Sequence, residues 1–405
     1  MHLLHIITSM DPVNGGPSQG IRNLDHSMLE LGVTREIVCQ DNPDSKYLNK
    51  EYLQIHAIGE GKGIWRYNKG LKGWLKENIH RFDVVVVNGL WLYHSYMASK
   101  MMEKTRKKRD GKAPRFLVMP HGMLDPYFQR AKTRRLKAIR NWFYWKLVER
   151  HLINNADGLL FTCETELLLA RETFWPYHPK KEYNVGYGID TPPVFNNGMR
   201  VTFQQLCPAL KGEPYLLFLS RIHPKKGLDL LIQCYIEFSK AVISSGEKMP
   251  KLVIAGPGIE TPYGQQLIKL ISQEPEAAKD IFFPGMITGD AKWGAFYGCE
   301  AFILPSHQEN FGIAVVEALA CNKPVLISNQ VNIWTEIKNG EAGIVENNNL
   351  TGVLNLLRKW LAMSMEDKTM MGNKARLLFE KEFDISKIAQ NFVDAFNDKK
   401  TKATQ

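Results

Sequence analysis

The chain has 405 residues, 44% of them hydrophobic, and a formal net charge of +10. That length predicts two domains with ordinary cores, and the composition excludes collagen-like, repetitive and low-complexity classes. Six cysteines (Cys39, Cys163, Cys207, Cys234, Cys299 and Cys321) form no C-x-x-C pair, which argues against a disulfide framework or a zinc site and suits a reducing compartment.

The N-terminal MHLLHIITSMDP has no basic n-region and no long apolar run, so it reads as a first strand rather than a signal peptide. No segment reaches the ~18 apolar residues needed to cross a bilayer. A soluble protein, or one lying on a membrane surface, is expected. After LLHIIT come GGPSQG and a helical IRNLDHSMLELG. Gly15 and Gly16 permit close backbone approach to a ligand, or simply make a turn. This loop is not G-x-G-x-x-G, and neither is the later AGPGIE, so the dinucleotide fingerprint is absent.

REIVCQ and FDVVVVNG are the next strands, the second a β-branched run of the kind buried on both faces. Asn88, Trp91 and His94 follow it and are candidates to line a ligand pocket. A basic run, KMMEKTRKKRDGK, leads to RFLVMPHG. There His121 sits at a strand's carboxyl end, either facing a ligand or satisfied structurally. The segment 129–152 joins Lys132, Arg134, Arg135, Lys137 and Arg140 to Trp142, Phe143, Tyr144 and Trp145. Cations followed by aromatics suit an anionic membrane surface; the alternative packs the aromatics in the core. ADGLLFTCE is another strand, with Thr162, Glu164 and Glu166 read as caps of the next helix. Strands alternating with helices predict an α/β domain with a parallel sheet.

The Gly-, Pro- and Asn-rich YGIDTPPVFNNGMR reads as a linker, after which the alternation restarts. YLLFLSR, KLVIAGPG, IFFPGM, AFILPS and PVLIS are strands. Two Rossmann-like domains facing across a cleft are predicted: residues 1–193, with a C-terminal helix (385–405) crossing back, and residues 194–384. Ligands should then sit at the carboxyl ends of strands.

Two loops there carry charge. In SRIHPKKG, Arg221 and Lys226 suit a diphosphate, Arg by bidentate bonding and Lys as a point charge. In HQENFGIAVVEALA a helix is expected to start near Asn310–Phe311, with the free amides of Phe311, Gly312 and Ile313 offered to an anion. Glu309 precedes it. Glu317 lies four to six residues in, roughly 6–9 Å along the axis, where a carboxylate can accept from ribose hydroxyls. Each loop also has a plain reading, as a basic surface or an ordinary amphipathic helix. No D-x-D, H-E-x-x-H, G-x-S-x-G or Walker sequence occurs.

Taken together, the E-x7-E of ENFGIAVVE, the R-x4-K of RIHPKKG, the GGP loop and the HG after a strand occur in the order seen in retaining glycosyltransferases of family 4, of GT-B architecture. The chain resembles that family over nearly its whole length. The resemblance implies that Arg221 and Lys226 hold the donor diphosphate, with the Gly16 amide meeting it from the first domain. Glu309 would contact the sugar beside Asn310–Ile313, Glu317 the ribose, and His121 the sugar or the transition state. It implies transfer of a hexose from a UDP-sugar, UDP-glucose foremost, to a sugar or polyprenyl-diphosphate-linked acceptor in polysaccharide assembly. No cofactor and no metal would be required, and the setting would be cytoplasmic or peripheral on the plasma membrane's inner face. GDP-mannose as donor and a nucleotide-sugar epimerase are the alternatives. A nucleic-acid binder, motivated by charge alone, lacks a recognisable module.

Overall fold

The computed structural model describes residues 1–48, 53–108, 113–130, 135–245 and 248–398. Lys132 and Arg134, residues 109–112 of the second basic run and the residues from 399 on lie outside them. The chain divides into two compact units, Met1–Gly188 with Ile385–Gln405, and Ile189–Asp384.

The first unit is built on seven parallel strands: β1 (His2–Ile6), β2 (Thr34–Cys39), β3 (Gln54–Ala57), β4 (Val84–Asn88), β5 (Arg115–Met119), β6 (Gly158–Phe161) and β7 (Glu182–Asn184), ordered β3-β2-β1-β4-β5-β6-β7. All five residues of β4 are buried. Successive strand side chains point to opposite faces. Val85 and Val87 therefore pack with Met97, Ala98 and Met101 of the helix Tyr93–Lys108. Val84 and Val86 pack with Ile388 and Phe392 of the last helix, Ile385–Asn397. A helix layer on each face explains why this strand is apolar throughout.

The basic-aromatic segment divides its aromatics. Trp145 is 1% exposed and stacks on Phe174 with centroids 4.7 Å apart. Trp142 and Phe143, however, are 45% and 57% exposed, as are Leu136 (85%) and Leu147 (74%). Core packing thus accounts for only part of this segment. Leu136, Phe143 and Leu147 recur at helical spacing along Arg135–Tyr144 and the π-helical turn Trp145–Glu149, forming an apolar stripe.

The second unit carries six parallel strands: β8 (Tyr215–Leu219), β9 (Lys251–Ala255), β10 (Ile281–Gly285), β11 (Ala301–Leu304), β12 (Val325–Ser328) and β13 (Gly343–Glu346), ordered β10-β9-β8-β11-β12-β13. Two sequence expectations change here. The later part of the expected linker is helical, Asn197–Leu206, because the Asn196 side chain accepts the Met199 amide at 3.1 Å and starts a helix. Strands β3, β7 and β13 have no counterpart among the apolar runs read from sequence. All three are short sheet edges, half solvated, so their hydrophobic signal is weak.

In both sheets the chain winds outward from the middle. Neighbours β1 and β4, and β8 and β11, are the points where strand order reverses. In open parallel sheets, such reversals separate the loops leaving adjacent strands and so open a ligand crevice at their carboxyl ends.

Candidate active site

In the second unit the reversal brings the loops after β8 and β11 together, although they are 83 residues apart in sequence. Pro224–Lys226 forms a 3-10 turn, capped by the His223 Nδ1, which accepts the Lys225 amide at 3.1 Å. Gly227 closes it at φ +68°, with its backbone so near β11 that a Cβ would run into the Pro305 carbonyl oxygen. The His307 amide donates to the Lys225 carbonyl at 2.8 Å, and Lys225 Nζ donates to Gln308 Oε1 at 3.0 Å. Once the loops are laced in this way, Lys226 Nζ meets the Glu309 carboxylate. Glu309 is itself clamped, its amide donating to the Gln330 carbonyl at 2.9 Å and its carbonyl accepting from the Asn332 amide at 3.0 Å. The two cations of this loop differ: Lys226 is held by Glu309, whereas Arg221 is exposed and makes no ion pair or hydrogen bond among the described residues.

The helix after this loop runs Ile313–Ala320, later than the expected start near Asn310–Phe311. Gly312 is its N-cap at φ +84°, a left-handed conformation that a helix interior excludes. Phe311 is drawn into the core, edge-on to Phe383 at 5.7 Å. Asn310 is half-buried and its Oδ1 accepts from Asn332 Nδ2 at 3.4 Å. The Val315 and Val316 amides both turn back to the Gly312 carbonyl. The amides left without a partner within the helix are therefore those of Gly312, Ile313 and Ala314. Glu309 abuts this start: a Cβ on Gly312 would stand 3.4 Å from Glu309 Cγ.

Glu317 is the fifth residue of the helix, about 6 Å along it at 1.5 Å per residue. Its carboxylate is paired with Lys292 Nζ at 2.8 Å. Burial pushes the Glu317 carboxyl above its usual range, and the Lys292 charge opposes that shift. Lys292 also lies 4.0 Å from the centroid of the Trp293 ring. Sequence reasoning missed Lys292, since a lone lysine on the helix Gly289–Gly298 carries no local signal of its partner 25 residues away.

The reversal in the first unit is furnished differently. Gly15, at φ +82°, precedes the helix Gly16–Asn23, so the Gly16 amide lies in its first turn, beyond β1. The Gly16 carbonyl accepts from the Tyr187 hydroxyl at 2.7 Å. His121 follows β5 at φ +52°, and its Nε2 is 3.1 Å from Asn88 Oδ1 at the end of β4. Burial lowers the His121 pKa to about 4, so the ring is neutral at ordinary pH. Asn88 and His94 are buried rather than lining an open pocket, whereas Trp91 is half-buried against Phe174. Glu166 does close its own helix, Glu164–Thr173, by accepting from the Thr162 amide (2.8 Å) and hydroxyl (2.6 Å), in the manner of a capping box. It also accepts the Gly122 amide, which ties the His121–Gly122 turn to that helix. The residue at the cap position is Cys163, and Glu164 has no capping bond among the described residues.

Residues 206–378 match the family model described as "Glycosyl transferases group 1". That match covers less than half of the chain and lies within the second unit. Relatives that the chain matches include D-inositol 3-phosphate glycosyltransferases. That of Gordonia bronchialis is 28% identical over 236 residues, 56% of this chain and 50% of the relative. That of Acidothermus cellulolyticus is 22% identical over 192 residues, 47% of this chain and 43% of the relative. The chain thus spans half or less of the length of these relatives. Among solved structures, Anabaena HepE in complex with UDP and glucose has a TM-score of 0.75 at 15% identity, covering 98% of this chain and 99% of that one. Sucrose-phosphate synthase from Thermosynechococcus elongatus has a TM-score of 0.73 at 17% identity, covering 98% of each. At such identities the likeness is one of fold: two parallel-sheet α/β domains, as in GT-B glycosyltransferases.

Chemically, the second unit gathers at one strand reversal an exposed guanidinium, an ammonium shared with a carboxylate, and a helix N-terminus. Developing negative charge on a phosphate is stabilised by groups of this kind. Among the described residues no group of three or more His, Cys, Asp or Glu side chains could hold a metal ion.

Proposed function

We propose that this chain transfers a hexose from a nucleotide-sugar donor to a sugar or polyprenyl-diphosphate-linked acceptor, with retention at the anomeric carbon. The observation that carries the reading is the pairing of Lys226 with Glu309 at the second sheet's strand reversal, with the exposed Arg221 on the same loop after β8. Breaking the sugar–phosphate bond places negative charge on the leaving diphosphate. Arg221, Lys226 and the Ile313 and Ala314 amides supply fixed positive counterparts, so the diphosphate would share Lys226 with Glu309. Glu317, held by Lys292, accepts from the ribose hydroxyls. In the second unit Glu309 contacts the sugar without serving as a covalent nucleophile; in the first, His121 and the Gly16 amide are offered to a ligand. UDP-glucose is the donor of choice, a reading supported by the UDP and glucose in the Anabaena complex. GDP-mannose is the alternative that the same site chemistry allows.

Calorimetric titration of UDP, GDP, ADP and UDP-glucose, with and without EDTA, tests this. UDP binding that ignores EDTA and weakens in Glu317→Ala supports the metal-free uridine site. GDP binding moves the sugar toward mannose. No binding to any of them overturns the reading, and donor turnover without acceptor would favour the epimerase.

A role at an anionic membrane surface, on the cytoplasmic face, completes the proposal. It is supported by the exposed Leu136, Phe143 and Leu147 stripe beside Arg135, Lys137, Arg140 and Lys146. No helix among the described residues is long and apolar enough to cross a membrane. Co-sedimentation with anionic vesicles, lost in a Phe143→Ser/Leu147→Ser double variant, is the expected result; equal retention by both proteins would remove the membrane from the proposal.

A further inference from the structure

Three histidines from separate elements converge on one amide residue in the first unit. Asn88 Oδ1 lies 3.1 Å from His121 Nε2, Asn88 Nδ2 lies 3.3 Å from His5 Nδ1, and the Asn88 carbonyl lies 2.9 Å from His94 Nε2. The Asn88 side chain cannot be turned over at will. Its Nδ2 also faces the Val86 carbonyl at 3.3 Å, and a carbonyl oxygen only accepts. The amide nitrogen must therefore lie on the Val86 and His5 side, and the amide oxygen on the His121 side.

Each ring's proton follows from that. Facing an acceptor, His121 Nε2 must carry a hydrogen, so Nδ1 of the neutral ring keeps its lone pair and has no partner among the described residues. His5 Nδ1 accepts from the amide, so its hydrogen is on Nε2, a buried atom without a partner among the described residues. His94 Nε2 donates to the Asn88 carbonyl, and its Nδ1 accepts from the Thr8 hydroxyl at 3.0 Å. Glu166 fixes the adjacent backbone through the Gly122 amide. The cavity beside these groups, lined by His5, Gly20, Asn88, His121 and Tyr187 among others, is only ≈ 20 Å³. It has room for about one water and none for a sugar.

We propose that Asn88 is the positioning residue of the site: it locks His121 as the Nε2–H tautomer, so that His121 offers a ligand the bare Nδ1 as a hydrogen-bond acceptor, neither donor nor cation. The inference rests on the reading above only in taking His121 to meet the ligand. The lock itself is independent of that reading. Its purpose is physical economy. A ring free to exchange tautomers presents an acceptor part of the time, whereas a ring fixed by a buried amide presents one always.

The test is long-range ¹H–¹⁵N correlation of the histidine rings in the full chain, with the His121 signals assigned by their loss in His121→Gln. Wild type should show His121 as a single Nε2–H tautomer. Asn88→Asp keeps an acceptor facing His121, so Nε2 should stay protonated, while the carboxylate favours the imidazolium. Asn88→Leu should give a tautomer mixture and lower kcat by about five- to tenfold, the scale of one neutral hydrogen bond, with the Kd for nucleotide unchanged. A wild-type ring protonated at Nδ1 overturns the proposal, and so does an Asn88→Leu ring still fixed as Nε2–H. If Asn88→Leu fails to fold, the wild-type and Asn88→Asp spectra still decide. Full activity in His121→Gln beside a locked wild-type ring would sink the functional reading and leave the lock standing.

Discussion

The two strand reversals share one topology and differ in everything attached to it. At β8/β11 the side chains are charged: Lys226 with Glu309, Lys292 with Glu317, and Arg221 exposed. At β1/β4 they are neutral: an amide, three imidazoles and a hydroxyl joined by hydrogen bonds. The parallel-sheet scaffold dictates where a ligand crevice opens, while the loop residues decide which chemistry it serves. Charge compensation suits a diphosphate leaving group. Buried neutral groups suit the orientation of hydroxyls, where a fixed charge would bring a desolvation cost.

Removing the cation is the strongest way to break this contrast. Lys226→Ala should lower turnover by about 10²–10³, the scale for losing one stabilising donor of developing charge, with the melting temperature nearly unchanged. Turnover like wild type would mean that the charged junction is only structural.

Next is the backbone that laces the junction. Gly227→Val places a branched side chain at φ +68° and against the Pro305 carbonyl. It should cost about 1–3 kcal/mol of stability and separate Lys226 from Glu309. Denaturant unfolding at unchanged midpoint would contradict that strain.

A pH experiment sharpens the neutral side. Glu149 in the first unit is fully buried. It accepts from the Trp91 amide at 2.6 Å and the Ser95 hydroxyl at 2.8 Å, both at Oε1. Burial raises its pKa to about 7 against these two bonds, which lower it. The folded state then holds this proton more tightly than the unfolded chain. Its contribution to stability is lost as pH rises from about 4.5 to about 7, amounting to about 3 kcal/mol. Glu149→Gln retains the accepting oxygen, so it should gain stability over wild type above pH 7 and less below pH 5. Parallel pH–stability curves for the two proteins would refute this.

The mildest change is at Glu317, proposed above to meet the ribose. Glu317→Ala should weaken nucleotide binding by about 1–3 kcal/mol. Lys292→Met, which leaves the buried carboxylate unpaired, should raise the Glu317 pKa further and make nucleotide affinity depend on pH. If affinity in Lys292→Met is flat with pH, the pair does not tune the site.

How much of this was legible beforehand follows the range of each interaction. The alternation of β-branched runs and helices, the loops that carry Arg221 to Lys226 and Glu309 to Glu317, and the HG of His121 are local patterns of spacing and residue type. They pointed to two parallel-sheet domains and to the loops worth inspecting. The helix start was misread because its signal competed with two tertiary demands: Phe311 was wanted by the core beside Phe383, and Gly312 was free to turn left-handed. The edge strands β3, β7 and β13 escaped notice since half-solvated residues carry little apolar signal.

By itself, then, the sequence determined the elements, their order and the positions of charge along the loops, because helix and strand periodicity are written over a few residues. Only the tertiary structure decided the partners. Lys226 reaches Glu309 across 83 positions, His121 reaches Asn88 across 33 and Lys292 reaches Glu317 across 25. Lys226 and Glu309 meet because strand order reverses between β8 and β11, His121 and Asn88 because β5 lies beside β4, and Lys292 and Glu317 because the two helices that carry them meet; no local pattern encodes which elements will be neighbours.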